Sequence, residues 1–227
     1  MRQQRGPNTS QPDRRRLGAL VGLGLAVATL ALLFLLITAF RGMQPEVHRD
    51  GEGPLGSTGD PRHQEALAFG PVKGGPWTLG YPLCLTQGDQ PASIDSVSPA
   101  KTVGTGFRFL GAEIRQFATA AGHMPIGSVD GYPPQLPDPL RPAIGYSVST
   151  RCTQSGLSPT YTELLIGFDR KAGADGGGWR GIKVGYSVGG RHRAVILGFD
   201  ILVCGPSVTN EPHLCPEFAP TPSGTSG

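Results

Sequence analysis

Charge and aromatic rings are scarce in this chain: 16% of its residues are Asp, Glu, Lys or Arg, and 7% are Phe, Trp or Tyr. So few charges, beside 35 glycines and 22 prolines, exclude a mainly helical protein and point to a turn-rich β-protein. A concentrated basic face is missing as well. Between Pro76 and Pro206 eleven basic residues stand against nine acidic ones, which speaks against nucleic acid as a partner. The Gly-x-Ser-x-Gly spacing occurs at Gly185–Gly189 and the Gly-x-Gly-x-x-Gly spacing at Gly51–Gly56 and Gly176–Gly181, but none of them joins an expected strand to a helix as a nucleophile elbow or dinucleotide fingerprint requires, and no His-Glu-x-x-His helix or phosphate-binding loop occurs. No cysteine belongs to a CxxC unit, so the usual ligand pairs of a zinc site are absent. Asp169 and Asp175 flank a glycine-rich turn but lack the alternating acidic order of a calcium loop. His123-Met124 would suit a soft metal, yet no further ligands accompany it. Glu113 and Glu163 are the only glutamates between Pro76 and Pro206, and each falls inside an expected strand rather than facing a cleft. These absences leave no expected catalytic residue, metal or cofactor.

What the chain does have begins with Leu17–Phe40, which carries no charged side chain and only Thr29 and Thr38 as polar groups. As a helix it would be roughly 36 Å long, enough for a hydrocarbon core of about 30 Å with some tilt. A cleaved secretory signal would have a shorter apolar run and small residues at the cleavage site, whereas Ile37 sits two positions before Ala39. The segment therefore reads as an uncleaved signal-anchor. Arg2, Arg5, Arg14, Arg15 and Arg16 precede it, and Arg41 and Arg49 follow it among Glu46, Asp50 and Glu52. By the positive-inside rule the N-terminus is expected in the cytoplasm and the rest beyond the membrane. Gly18, Gly22 and Ala26 fall at four-residue spacing, a pattern that permits a weak homodimer through one helix face.

The four cysteines, Cys84, Cys152, Cys204 and Cys215, all lie after this segment, as expected for two disulfides in an oxidising compartment. Three connectivities are possible. The preferred one joins Cys84 to Cys152 and Cys204 to Cys215, the second closing a short loop that pins the tail. The organisation then reads as a disordered cytoplasmic tail over 1–16, the anchor over 17–40 and a flexible Gly/Pro-rich stalk over 41–75. An exported domain follows over 76–206, and a largely disordered tail over 207–227.

Within the domain, alternating residues such as Trp77, Leu79 and Tyr81, or Ile182, Val184, Tyr186 and Val188, mark strands. Gly189-Gly190 reads as a two-residue hairpin loop leading into Arg191 to Cys204, whose apolar centre suggests a central strand. About seven such strands predict an immunoglobulin-like antiparallel β-sandwich, although the Cys-Trp-Cys spacing of true immunoglobulin domains is not matched. Residues 118–142, rich in proline, should form a long irregular loop.

In layout the chain resembles the many uncharacterised single-pass membrane proteins of high-GC, actinobacterial-type bacteria, with an Arg-rich start, one apolar helix, a Gly/Pro stalk and a small exported β-domain. The resemblance rests on layout and implies no catalytic residues. A candidate binding surface gathers Tyr132 of the proline-rich loop with Arg180, Lys183, Arg191, His192 and Arg193 around the hairpin, where the basic groups could meet anionic lipid or envelope polymers. The resulting expectation is a membrane-tethered, non-enzymatic binding or scaffolding module. Its partners are the lipid bilayer and a cell-envelope polymer or another membrane protein. The alternative is an envelope enzyme, or a subunit of one, with a site under the 118–142 loop.

Overall fold

Six long segments with period-two patterning supply the frame. The computed structural model describes residues 32, 34, 45–57, 65–69, 74–118, 125–152, 160–170, 176–208 and 215. The chain divides into two units, Met1–Gln44 and Pro45–Gly227. In the first only Leu32 and Phe34 are described, both helical. Among the described residues no helix is long and apolar enough to cross a membrane. The expected anchor over 17–40, apart from these two residues, lies outside the described residues, as do Gly18, Gly22, Ala26, His123 and Met124.

The second unit is mainly β. Its described strands are β1 Glu46–Arg49, β2 Leu55–Gly56, β3 Glu65–Phe69, β4 Gly75–Pro82, β5 Cys84–Leu85, β6 Ala92–Gly104, β7 Phe107–Ala118, β8 Ser128–Asp130, β9 Leu140–Pro142, β10 Ser147–Val148, β11 Thr160–Arg170, β12 Gly177–Val188 and β13 Arg191–Val203. One sheet has the order β1-β13-β12-β6-β10, with β3 also on β13; the other runs β8-β4-β11-β7-β9, and β2 pairs with β5. Thirteen strands replace the expected seven or so because short edge strands of two to five residues carry too few side chains to show a period.

Two of the short strands correct part of the expected stalk. β1 pairs in parallel with Arg193–Ile196 of β13, and β3 pairs in parallel with Phe199–Val203 of the same strand. The chain thus visits one edge twice, so Glu46–Arg49 and Glu65–Phe69 belong to the sheet rather than to a free linker. The physical reason lies in β13, whose buried Val195, Leu197, Ile201 and Leu202 would otherwise sit on an uncovered edge. That strand is central, as its apolar run suggested, but only because N-terminal residues complete it.

Between the two sheets lies a common core. Phe168 of β11 packs edge-on against Trp179 of β12 at 4.7 Å and against Trp77 of β4 at 4.8 Å, with Phe107 at 5.1 Å. Each such aromatic pair contributes about 0.5–1.5 kcal/mol beyond area burial. Leu79, Ile94, Ile114, Leu164, Ile166, Ile182, Val184, Tyr186, Val195 and Leu197 extend the same core.

A bulge sets which side chains of β7 face the core. Phe109 pairs with Phe168 and Gly111 with the preceding Gly167, leaving Leu110 as the extra residue. The parity flips there, so Phe107, Phe109, Ala112 and Ile114 all pack on the core, instead of splitting between the two faces. Gly104-Thr105-Gly106 carries the chain from one sheet to the other, since β6 pairs with β12 while β7 pairs with β11. Gly189 and Gly190 do form the expected hairpin, with φ of 56° and 74°.

Cys84–Cys152 and Cys204–Cys215 are the two disulfides. The second holds Cys215 in a small buried cluster with Leu202 and Val208, so the ordered unit extends past the expected boundary at 206. Beyond Ile94, the outer edge of β6 has no strand partner among the described residues. Pro99, which has no N–H, and Lys101 lie along it and oppose strand addition.

Candidate functional site

Two places hold the residues singled out from sequence: the outer face of the β4-β11-β7 sheet under the proline-rich loop, and the hairpin end of the sandwich. At the first, residues 125–142 lie against the sheet through β8 and β9, both short edge strands, the second carrying Pro142. Beneath them sits a buried ion triad. Arg115 of β7 donates from Nη1 to Glu163 Oε2 at 3.0 Å, and from Nε to Asp138 Oδ2 at 2.8 Å. The backbone N–H of Ile126 donates to Glu163 Oε1 at 2.8 Å. Arg115 and Glu163 are direct cross-strand neighbours, and the Arg115 guanidinium also lies 4.2 Å over the Phe117 ring. Burial is the main influence on Glu163 and pushes its pKa up, against the opposing pull of the Ile126 and Arg115 hydrogen bonds.

Tyr132 completes the contact between loop and sheet. Its ring lies so close over Gly167 of β11 that a Cβ there would meet ring atoms at 2.1–2.4 Å, and a Cβ on Gly111 would meet its hydroxyl oxygen at 2.8 Å. Two glycines facing each other across the ladder make the slot that this ring fills. Its pKa is pushed up to about 12, chiefly by burial and then by Glu113. Tyr132 is therefore packed against the sheet, away from the basic residues with which it was grouped. The space under the loop is occupied by Tyr132 and by the Arg115–Glu163–Asp138 triad, which leaves the loop tied down rather than roofing a cleft.

At the hairpin end, strand alternation divides the expected basic patch. His192 points to the outer face of its sheet, where its Nδ1 lies 2.9 Å from Ser187 Oγ and 3.1 Å from Asp95 Oδ2. Ser187 Oγ donates to the same Asp95 oxygen at 2.6 Å. Serine, histidine and aspartate thus meet, but through one ring nitrogen. A nucleophile relay needs the acid on one imidazole nitrogen and the serine on the other, so this cluster as built is a hydrogen-bond clasp between β6, β12 and β13. Sequence reasoning singled out His192 and missed Asp95 and Ser187; the register of the three strands brings them together. Lys183 pairs across from Ile196 and Arg180 from Asp200. The Asp200 carboxyl is pushed up by burial, with the Gly181 N–H and Arg180 pulling the other way.

Arg191 and Arg193 turn to the other side and line an open groove of about 450 Å³ with Pro54, Gln87, Gly88, Asp89, Gln90, Val188 and Gly189. Its walls are three connections: the β1–β2 loop, the β5–β6 loop and the β12–β13 hairpin. Thr86 N donates to Pro54 O at 2.9 Å, Gln87 Nε2 to Glu52 O at 3.3 Å, and Cys152 N to Leu85 O at 2.9 Å. The Cys84–Cys152 disulfide ties the base of the same wall, and Asp89 is ion-paired with Arg151.

Among the described residues no group of three or more His, Cys, Asp or Glu is placed to hold a metal ion. No protein-family model matches the chain, and neither a curated protein nor a solved structure is detectably similar to it.

Proposed function

We propose that this chain is a membrane-tethered, non-enzymatic binding or scaffolding module whose exported domain faces the cell envelope. Leu17–Phe40 supplies the tether, five preceding arginines give the direction, and two disulfides agree with an oxidising compartment. The partners on this reading are the bilayer and an envelope polymer or another membrane protein. Any self-association would run through Gly18, Gly22 and Ala26.

An immunoglobulin-like classification belongs to the same proposal. The orders β4-β11-β7 and β13-β12-β6 correspond to strands B-E-D and G-F-C of that architecture. Against a closer relationship, the disulfides do not bridge β4 to β12, and Trp179 lies on β12 rather than on β6.

The observation that carries the binding reading is the contrast between the two candidate places. An enzyme site calls for a deep pocket with convergent polar groups. The proline-rich loop instead packs its own Tyr132 and the Arg115–Glu163–Asp138 ion triad beneath it, while the polar groove among the described residues is open and walled by loops. Cross-linking with mass spectrometry in the native membrane tests this. Cross-links from the hairpin end to an envelope component are expected. Loss of turnover of an envelope substrate in a deletion strain, with no partner captured, would favour the enzyme reading instead.

A further inference from the structure

The groove at the hairpin end has a charge imbalance that its own fold does not settle. Three charged side chains line it, and two of them are cations. Asp89, the one anion, is already paired with Arg151. Arg191 is exposed and has no ion-pair partner among the described residues. Arg193 is half-buried and only loosely held. Its Nη1 lies 3.5 Å from His48 Nε2, its Nη2 lies 3.8 Å from Glu46, and its Nε has no acceptor among the described residues. Charge-assisted hydrogen bonds from a guanidinium are normally about 2.7–2.9 Å long. Both cations are therefore short of close acceptors on one wall of a groove.

Resting on the binding-module reading, we propose that this groove is the binding site, and that its ligand is an extended polyanion bearing carboxylate or phosphate groups. Two residues along a strand separate Arg191 from Arg193 by about 7 Å, so they address two successive charges of a linear polymer rather than one small anion. Arginine suits both anions because its planar fork donates in pairs to carboxylate or phosphate oxygens. Gln87 and Gln90 add amide donors and acceptors on the opposite wall, which suits the neutral backbone of such a polymer.

The walls are set in advance. Backbone bonds from Thr86 and Cys152, the Leu55–Leu85 pairing and the Cys84–Cys152 disulfide fix the β5–β6 side. Gly189 and Gly190 hold the hairpin side in a turn that only residues tolerant of positive φ adopt. A ligand would pay little ordering cost in such a frame. The placement also separates Arg191 and Arg193 from Lys183 and His192, which face the other side of the sheet, and that separation makes the proposal testable.

The test is equilibrium binding to full-length protein in detergent, using poly(glycerol phosphate), polygalacturonate and neutral dextran as probes. Expected are saturable binding of at least one polyanion, weakening as salt rises, and none of dextran. R191E should weaken binding tenfold or more, and R193Q should do so if its thermal unfolding stays like wild type. K183Q should leave binding unchanged. Which polyanion binds tells phosphate from carboxylate. If neither polyanion binds, or if K183Q weakens binding as much as R191E, the groove assignment is overturned. The binding-module reading would survive that result, because cross-linking in the native membrane tests it separately.

Discussion

The buried triad under the proline-rich loop makes the sharpest demand on stability. R115A would leave Glu163 and Asp138 facing each other without their shared cation, at a place where Glu163 has 0% exposure. Removing one partner from a buried ion pair typically costs about 3–5 kcal/mol, or about 10–15 °C in a domain of this size. E163Q is milder, because its amide oxygen still accepts from one of the two donors, the Ile126 N–H or Arg115 Nη1, and Arg115 keeps Asp138, while the other donor is left facing the amide NH2. A cost of about 1–3 kcal/mol is expected. The pair also differs in pH dependence. Glu163 lies above its ordinary value of 4.5 when folded, so the folded chain holds that proton more tightly than the unfolded one. Its stabilising contribution is fully present below about pH 4.5 and is lost as pH rises through the raised value. The difference between wild-type and E163Q unfolding free energies should fall across that window and be flat elsewhere. Trp77 and Trp179, the only tryptophans and both in the core, report the transition by fluorescence in urea. An R115A variant within about 1 kcal/mol of wild type would contradict a buried, mutually dependent triad, as would a difference curve that rises with pH.

Other outcomes follow from the same contacts. G167A should displace the Tyr132 ring, cost about 1–3 kcal/mol, and expose 125–142 to limited proteolysis, whereas the loop of the wild type stays protected. Spectrophotometric titration should find Tyr132 ionising near 12, and E113Q should lower that value because Glu113 contributes to the rise. Its share of stability is kept below the ordinary tyrosine value of 10 and lost as pH climbs through the folded one. Loop closure across 68 residues against 11 predicts a cost of about 4 kcal/mol for C84A/C152A and about 3 kcal/mol for C204A/C215A, measured by urea unfolding.

Long elements were legible because their side chains repeat. The alternation of Ile182, Val184 and Tyr186, the Gly189-Gly190 turn and the apolar run of β13 each carried their information locally, and the structure agrees with them. The pairing of cysteines was also readable, since Cys204 and Cys215 are close along the chain and leave Cys84 with Cys152. What was hidden is non-local. Glu46–Arg49 and Glu65–Phe69 look like parts of a linker because two to five residues show no period, and only the exposed edge of β13 makes strands of them. The Arg115–Glu163 pair depends on the register of β7 against β11, which the bulge at Leu110 sets. The basic patch was misjudged for the simplest reason: successive strand residues point to opposite faces, so Arg191 and Arg193 part company with His192.

Everything proposed about function depends on the exported placement of the β-domain. A reporter fused after Gly227, in a form active only outside the cytoplasm, tests it most directly. Activity is expected from the intact chain and should be lost when Leu17–Phe40 is deleted. Activity of a cytoplasm-only reporter at the same position would contradict the exported placement.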